Sequence, residues 1–585
     1  MRKTKIVATL GPASNEVDII KKLIQAGINA ARFNFSHGDY EEHGQRINNL
    51  KTAREELGVP VAIVLDTKGP EIRTGVFEDK FIMVSKGDTF TLTTDEIVGN
   101  QSKVSVSYKD MPKDLNIGST VLIDDGLIEL TVKEIVGNDV VCEVQNGGKI
   151  GSKKGVNLPD VHVNLPALTE KDKEDIKFGI KMGIDYIAAS FIRSARDVLE
   201  IRKVLEENDG LGISIISKIE SRDGVDNIDE ILEVSNGIMV ARGDLGVEIP
   251  LEEVPVVQKY LINKARAKGK TVITATQMLD SMTHNPRPTR AEANDVANAI
   301  YDMTDAVMLS GESAQGDYPV EAVTTMARIC EKIESTIDYE ENFESNKLVA
   351  INNITNAVSH SACTTAHDLN ATCIAAATMS GSAVKKISKY RPALPILGCT
   401  PVDRTLRQLN LVWGCIPAKV ELEKDKFIAL FDKVAEKSIE EGVTKVGDTI
   451  VFVGGTPLGT TGTTNTLKVG VIGNVILEGK GKVVTDKVIA HTKVISTVEE
   501  AEKHFEKGEI FVTSNPDKAL VPFMKKAVGI IVGSGKHDDF SHAIAVGNEL
   551  GIPVIASKNV VSDVIPNNLV VTMDSKNGVV YNSGH

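Results

Sequence analysis

Three stretches of the chain, residues 213–220, 237–244 and 271–278, each run through apolar, largely β-branched residues and stop at reactive polar ones. They end in Lys218 and Glu220, in Arg242 and Asp244, and in Thr276 and Gln277. A buried strand reads as a continuous hydrophobic run. Polar groups at the same end of successive strands are what a parallel barrel presents at its reactive face. One such Lys or Glu belongs as readily to a structural ion pair; several in series point to an active site. Lys218 and Glu220 stand two apart and share a strand face. Glu220 and Asp244, from neighbouring strands, suit one Mg²⁺ completed by substrate and water. In Arg32-Phe33-Asn34-Phe35-Ser36-His37 the alternation sets Arg32, Asn34 and Ser36 on one side of a strand and its exit. The run Asp66-Thr67-Lys68-Gly69-Pro70-Glu71-Ile72-Arg73 leaves a further strand toward the same face. Arginines, a lysine and a divalent cation at one rim are the equipment of phosphoryl transfer, which depends on positioning and charge neutralisation more than on a protein nucleophile. The sequence has no Walker A or kinase-type Gly-rich loop, which excludes a P-loop mechanism.

The elements that must position these groups follow a βα rhythm. Strands are expected at 5–10, 30–35 and 61–65, then at 186–192, 213–219, 237–240, 271–275 and 306–309. Three and five make the eight that close a (β/α)₈ TIM barrel. Thr169 with Asp172, and Thr289 with Glu292, read as capping boxes that open helices. Between about 70 and 163 the rhythm breaks into short β-runs with Gly and Asp turns, the pattern of an inserted β-barrel lid domain. The acidic stretch 339–347 reads as a linker. A further α/β domain and an additional C-terminal α/β domain follow, giving expected divisions of 1–69 with 170–343, 70–169, 344–473 and 474–585.

Composition sets bounds. A net charge of −14 over 585 residues argues against bulk nucleic-acid binding, so an anionic substrate needs locally placed cations. No run approaches the roughly 18 apolar residues of a membrane span, and the basic start stops too soon at Gly11-Pro12 for a signal peptide. The six cysteines form no CxxC pair or zinc spacing, which fits a reducing cytoplasm.

Residues 1 to about 473 closely resemble the pyruvate kinase family. The resemblance is carried by KIVATLGPAS, ARFNFSHG, LDTKGPEIRTG, ASFIRSARDV, SKIES, MVARGDLGVEIP, ITATQMLDSM, RPTRAEANDVANAI and DAVMLSGESAQG, in matching order and spacing. It implies a cytoplasmic homotetramer that moves the phosphoryl group of phosphoenolpyruvate to ADP, using Mg²⁺ (or Mn²⁺) and K⁺. By this resemblance Glu220 and Asp244 bind Mg²⁺, and Arg32, Arg73 and Lys218 face the phosphoryl group. Amides at Gly243 and Asp244 take the substrate carboxylate, and Thr276 orders the water that protonates the enolate of pyruvate. Asn34, Ser36, Asp66 and Thr67 ligate K⁺, a dependence that accompanies Glu71 in this family. His37, Arg73 and Lys171 approach the nucleotide. Thr378, Ser380, Gly381 and Ser382, facing Gly459 and Gly462, resemble the phosphate-binding turns of the effector site for a sugar phosphate or nucleoside monophosphate, although Met379 and Ala383 replace residues often polar there.

The tail resembles the phosphohistidine domain of phosphoenolpyruvate-using phosphotransferases through Phe540-Ser541-His542-Ala543. The Gly-Gly-x-Thr expected before it is replaced by His537-Asp538-Asp539, so His542 reads as a surface or capping residue. Two rivals remain at this stage. A Mg²⁺-dependent carbon–carbon lyase leaves Arg73, Lys171 and the insertion unexplained, and a metabolite-sensing pseudoenzyme leaves the catalytic positions unexplained.

Overall fold

The computed structural model describes residues 2–345, 353–421, 427–455, 464–473, 475–534 and 540–582. The chain divides into two compact units, one formed by 1–360, 376–421 and 459–464 and the other by 361–375, 422–458 and 465–585.

The first unit is built on a closed parallel barrel of eight strands. These are β1 (Lys5–Thr9), β2 (Ala30–Asn34), β3 (Ala62–Asp66), β4 (Tyr186–Ala189), β5 (Ser214–Ile219), β6 (Gly237–Ala241), β7 (Thr271–Ala275) and β8 (Ala306–Leu309). The ring closes where β1 pairs in parallel with both β8 and β2. Period-two alternation divides each strand between two cores. Val7, Ala30, Val64, Tyr186, Ile216 and Ile273 fill the barrel interior. Ile6, Ala31, Ile63, Ile187 and Ile215 join the layer shared with the surrounding helices. Among those helices, α1 (Glu170–Lys181) opens with the Thr169–Asp172 capping box. A short α2 (Arg242–Glu248) follows β6, α3 (Val254–Lys268) precedes β7, and α4 (Arg290–Tyr301) carries the Thr289–Glu292 box.

The insertion between β3 and α1 folds as a six-stranded and a two-stranded sheet. One core, including Phe77, Phe90, Leu92, Leu130 and Val144, lies among its residues and is separate from the barrel cores. Three strands in it are too short to show as runs: Lys103–Ser105, Gly148–Gly151 and Val156–Asn157.

The acidic stretch after the barrel, read as a linker, is helical over Tyr339–Ser345. Tyr339 explains this, because its ring packs 5.6 Å from Trp413 beside Met303. Beyond it, α5 (Ser382–Ser388) precedes the strand Ile396–Thr400, which pairs in parallel with Cys415–Lys419. In the second unit an eight-stranded mixed sheet spans residues 475–582, and α6 (Ser541–Leu550) packs Ala543 and Val546 into its core. All six cysteines are buried thiols outside any disulfide.

Candidate active site at the C-terminal rim of the barrel

The polar strand ends converge as the sequence spacing requires. Arg32, the third residue of β2, donates from Nε to Asp66 Oδ2 at 2.5 Å and from Nη1 to Thr9 Oγ1 at 3.0 Å. Asp66, ending β3, also accepts from Lys218 Nζ through Oδ1 at 3.3 Å. Lys218, near the end of β5, reaches Glu220 Oε1 at 2.8 Å and donates to Ser190 Oγ at 2.8 Å. Glu220 Oε2 accepts from the amide of Phe191 at 2.6 Å. The result is a buried alternation of charge, Arg32–Asp66–Lys218–Glu220.

These partners set the titration of each group. Burial alone raises Asp66, but Arg32 and Lys218 outweigh it and hold the carboxyl below its usual value. Burial alone lowers Lys218, but Asp66, Glu220 and Asp244 reverse this and hold the ammonium above its usual value. Glu220 stands the other way. Burial raises it, the charge of Asp244 adds to the rise, and Lys218 offsets only part.

Asp244, in the first turn of α2, is exposed, so the proposed metal pair joins a buried carboxylate to an open one. Among the described residues no cluster of three or more His, Cys, Asp or Glu side chains forms a metal cage. Two hard oxygen donors with room for substrate and water suit Mg²⁺, and the ammonium beside Glu220 marks a place where positive charge is already favoured. The donors read as a K⁺ site are likewise oxygens. Asn34 Oδ1 accepts from the Ser36 amide at 3.1 Å, Thr67 Oγ1 from the Ser190 amide at 3.2 Å, and the Thr67 carbonyl from Ser190 Oγ at 2.7 Å.

Thr276 lies just past β7 with φ +67°, followed by Gln277 at +54°. Positive φ is a strained setting for a β-branched residue, of the kind that surrounding structure must enforce. Arg242 supplies much of that enforcement. It donates to the carbonyls of Ala275 (3.1 Å) and Thr276 (2.7 Å) and is anchored on Asp295 at 2.5 Å. Thr276 Oγ1 in turn donates to the Ala275 carbonyl (2.7 Å) and accepts from the Gly243 amide (2.8 Å). Arg242, at first sight a rim cation for substrate, is thus a brace for the turn.

The remaining expected residues sit further out. Arg73 is paired with Glu71 (Nε to Oε2, 2.6 Å) and donates to the Lys153 carbonyl at 2.7 Å. Lys68 approaches the same Glu71 carboxylate at 3.7 Å, so two cations already face it. Lys171 ties the first turn of α1 to the Phe35 carbonyl and to Asp175, both at 2.9 Å, near the exposed His37. Arg73, Lys154, Arg193, Arg222, Asp244 and Glu248 help line a cavity of about 450 Å³ between the insertion and the rim. Within it Glu248 accepts from Asn157 at 2.7 Å, and burial pushes its carboxyl up to about 7.

The effector turn is only partly described. Thr378 Oγ1 accepts from the Gly381 amide at 2.9 Å, and Gly381 takes φ +79° ahead of α5, a conformation suited to glycine. Ser380 is exposed and Ser382 half-buried, whereas Ala383 is buried. Gly459 and Gly462 lie outside the described residues, as do His537, Asp538 and Asp539. His542, the second residue of α6, is exposed.

Sequence reading missed three contributors. Ser190 bridges Lys218 to Thr67, Thr9 holds the far side of Arg32, and Phe191, at φ +54°, turns its amide toward Glu220. A Ser following the apolar end of β4 was the available signal for the first.

A closed parallel barrel with alternating fixed charges at its C-terminal rim and an inserted domain at the cavity mouth defines a barrel enzyme for an anionic substrate. Residues 1–323 match the pyruvate kinase barrel domain, 356–470 the pyruvate kinase alpha/beta domain, and 505–578 the mobile domain of PEP-utilising enzymes. A pyruvate kinase of Bacillus licheniformis is 47% identical over 583 residues, covering 99% of each chain. One from Geobacillus stearothermophilus is 47% identical over 586 residues, covering 100% of this chain and 99% of its own. The solved pyruvate kinase of Cryptosporidium parvum superposes with a TM-score of 0.77 at 41% identity, over 80% of this chain and 96% of that one. The chain belongs to the pyruvate kinase family and is a phosphotransferase. Among the described residues no helix is long and apolar enough to cross a membrane.

Proposed function

We propose that the rim transfers the phosphoryl group of phosphoenolpyruvate to ADP, giving pyruvate and ATP as the last step of glycolysis. The buried Arg32–Asp66–Lys218–Glu220 alternation is the observation that carries this reading. It fixes two cations where charge develops on a transferring group, at no cost of reorganisation during the reaction. Lys218, with its raised affinity for the proton, stays charged throughout the neutral range and faces the phosphoryl oxygens with Arg32. Glu220 and Asp244 hold Mg²⁺ (or Mn²⁺), which supplies Lewis-acid charge to substrate oxygens when bound.

The amides of Gly243 and Asp244 receive the substrate carboxylate, in place of the Thr276 hydroxyl that Gly243 now meets. Released from that bond, Thr276 orients the water that protonates the enolate. Asn34, Ser36, Asp66 and Thr67 supply the K⁺ ligands, and His37, Arg73 and Lys171 hold the nucleotide across the cavity mouth. A phosphorylated metabolite at Thr378, Ser380, Gly381 and Ser382, with Gly459 and Gly462, adjusts turnover.

The family resemblance supports a cytoplasmic homotetramer, to which exposed Leu251, Val256 and Tyr260, on and just before α3, would offer an apolar contact. The same reading divides the chain into the barrel at 1–69 and 170–343, the lid at 70–169, the effector domain at 344–473 and the tail at 474–585. The test follows pyruvate and ATP separately from phosphoenolpyruvate and ADP. Equal, ADP-dependent formation of both is expected; pyruvate without ATP would overturn the assignment.

A further inference from the structure

At the end of the barrel opposite the rim, Arg266, Lys270, Lys385, Lys389 and Arg391 line a small cavity together with Asp305, its one acidic lining residue. That carboxylate is already committed. Its Oδ2 accepts from the Val272 amide (3.0 Å) and approaches Arg391 Nη2 (3.2 Å), and its Oδ1 accepts from the Trp413 amide (3.4 Å). Lys270, Lys389 and Arg391 also donate to neutral acceptors. Lys270 donates to the Ser235 carbonyl (2.6 Å), Lys389 to Asn356 Oδ1 (3.1 Å), and Arg391 to the carbonyls of Ser388 and Met303 (2.8 Å each).

Two donors are left over. Arg391 is 3% exposed, yet its Nε is buried without a partner. The Lys385 ammonium makes no hydrogen bond or ion pair among the described residues, and Asp305 acts on it only at longer range. Arg266, Lys389 and Arg391 are buried and Lys270 and Lys385 half-buried, and an excess of positive charge so placed is costly unless compensated. The strain is visible in Lys270, which burial, with Lys386 and Lys385 beside it, lowers to about 8.

We propose that this cavity binds one small inorganic anion of about the size of chloride. Its volume of about 10 Å³ suits a single water-sized occupant. Water of that size would bring two more donors into a lining that already has donors to spare, whereas a halide accepts from Lys385 and Arg391 and cancels charge. A phosphate or sulfate is larger than this single-occupant volume. The site lies at the barrel end opposite the rim residues. Because α5 separates it from the effector turn by only one short helix, the anion would also fix the end of that helix.

Trp413, the only tryptophan of the chain, reports on the site directly: the Arg391 guanidinium lies 5.0 Å from its ring and Val412 lines the cavity. The experiment titrates Trp413 fluorescence of the full chain with potassium bromide, replacing potassium fluoride at constant K⁺ and ionic strength. Saturable quenching that chloride reverses is expected, with bromide affinity falling at least about tenfold in Lys385→Met through loss of a charge-assisted contact. Quenching that rises linearly, ignores chloride and is equal in Lys385→Met would overturn the proposal. Should that variant fail to fold, chloride competition in the unmodified chain decides alone.

Discussion

Replacing Lys218 by Met removes one charge from the centre of the rim alternation while keeping the length of the side chain. Lys218 Nζ lies 2.8 Å from Glu220 and 3.3 Å from Asp66, so a phosphoryl oxygen taking up a similar distance would feel about 5 kcal/mol per unit charge at an effective dielectric of ~20. If about half a unit of charge develops on that oxygen during transfer, the loss is roughly 2.5 kcal/mol, or about a hundredfold in kcat. This agrees with the ~10²–10³-fold cost of deleting one preorganised donor. The substitution also leaves Glu220 without its cation, so its already raised affinity for a proton rises further and Mg²⁺ must compete with that proton. The apparent Mg²⁺ requirement should therefore increase, most of all below neutral pH. The assay is kcat at saturating phosphoenolpyruvate, ADP and Mg²⁺, with thermal unfolding to show that the variant is folded. Asp66 keeps Arg32, so unfolding should remain cooperative. A folded variant with kcat within about threefold of the unmodified chain would refute both the charge argument and the place of Lys218 in the transfer.

Thr276→Ala should slow proton exchange at pyruvate more than it weakens binding of phosphoenolpyruvate, and equal losses would reassign Thr276 to positioning. Turnover should be activated by K⁺, with Na⁺ a poor substitute, and Glu71→Lys should become partly independent of K⁺; a flat response of the unmodified enzyme at fixed ionic strength removes that cation site. Because burial raises the Glu220 carboxyl to about 7, its ionised form is lost nearer neutrality as pH falls, so the apparent Mg²⁺ constant should rise with falling pH; a constant independent of pH from about 6 to about 8 would contradict this. A chain ending near residue 474 should keep turnover, although Lys487 donates to the Gly447 carbonyl and Tyr581 packs against Gly447, contacts whose loss should lower thermal stability. Inactivity of that shortened chain while folded would bring the tail into the chemistry.

The barrel was legible because its strands are buried on both faces and therefore read as unbroken apolar runs, and because Lys218 and Glu220, or Arg32 and Asn34, keep the period of a strand. The roles of rim residues were less so. Nothing in the spacing of Arg242 distinguishes a cation for substrate from one that grips the Thr276 carbonyl, since the difference lies in contacts with Asp295 on α4. The strand Cys415–Lys419 escaped detection because Pro417 lies inside it, which is tolerated where pairing with Ile396–Thr400 serves one side. The helix Tyr339–Ser345 was hidden by its charge; a single buried ring against Trp413 decides it. The strands Val570–Asp574 and Val579–Asn582 did carry a signal, the Asn577-Gly578 turn, with Gly578 at φ +69°.

Those last two strands have a consequence for how the protein is made. Val570–Asp574 and Val579–Asn582 do not flank the tail sheet but lie within it, between Val475–Glu478 on one side and Val488–Val494 on the other. They are made after every other strand of this sheet, so Val475–Glu478 cannot pair until Val579–Asn582 has been made. The barrel closes earlier, once residues 306–309 emerge to pair with 5–8, and domains generally fold as units from the N-terminus during synthesis. The nascent chain therefore carries a complete catalytic barrel while its tail still exposes unpaired apolar strand edges, and loss of residues 570–582 would leave those edges open for aggregation.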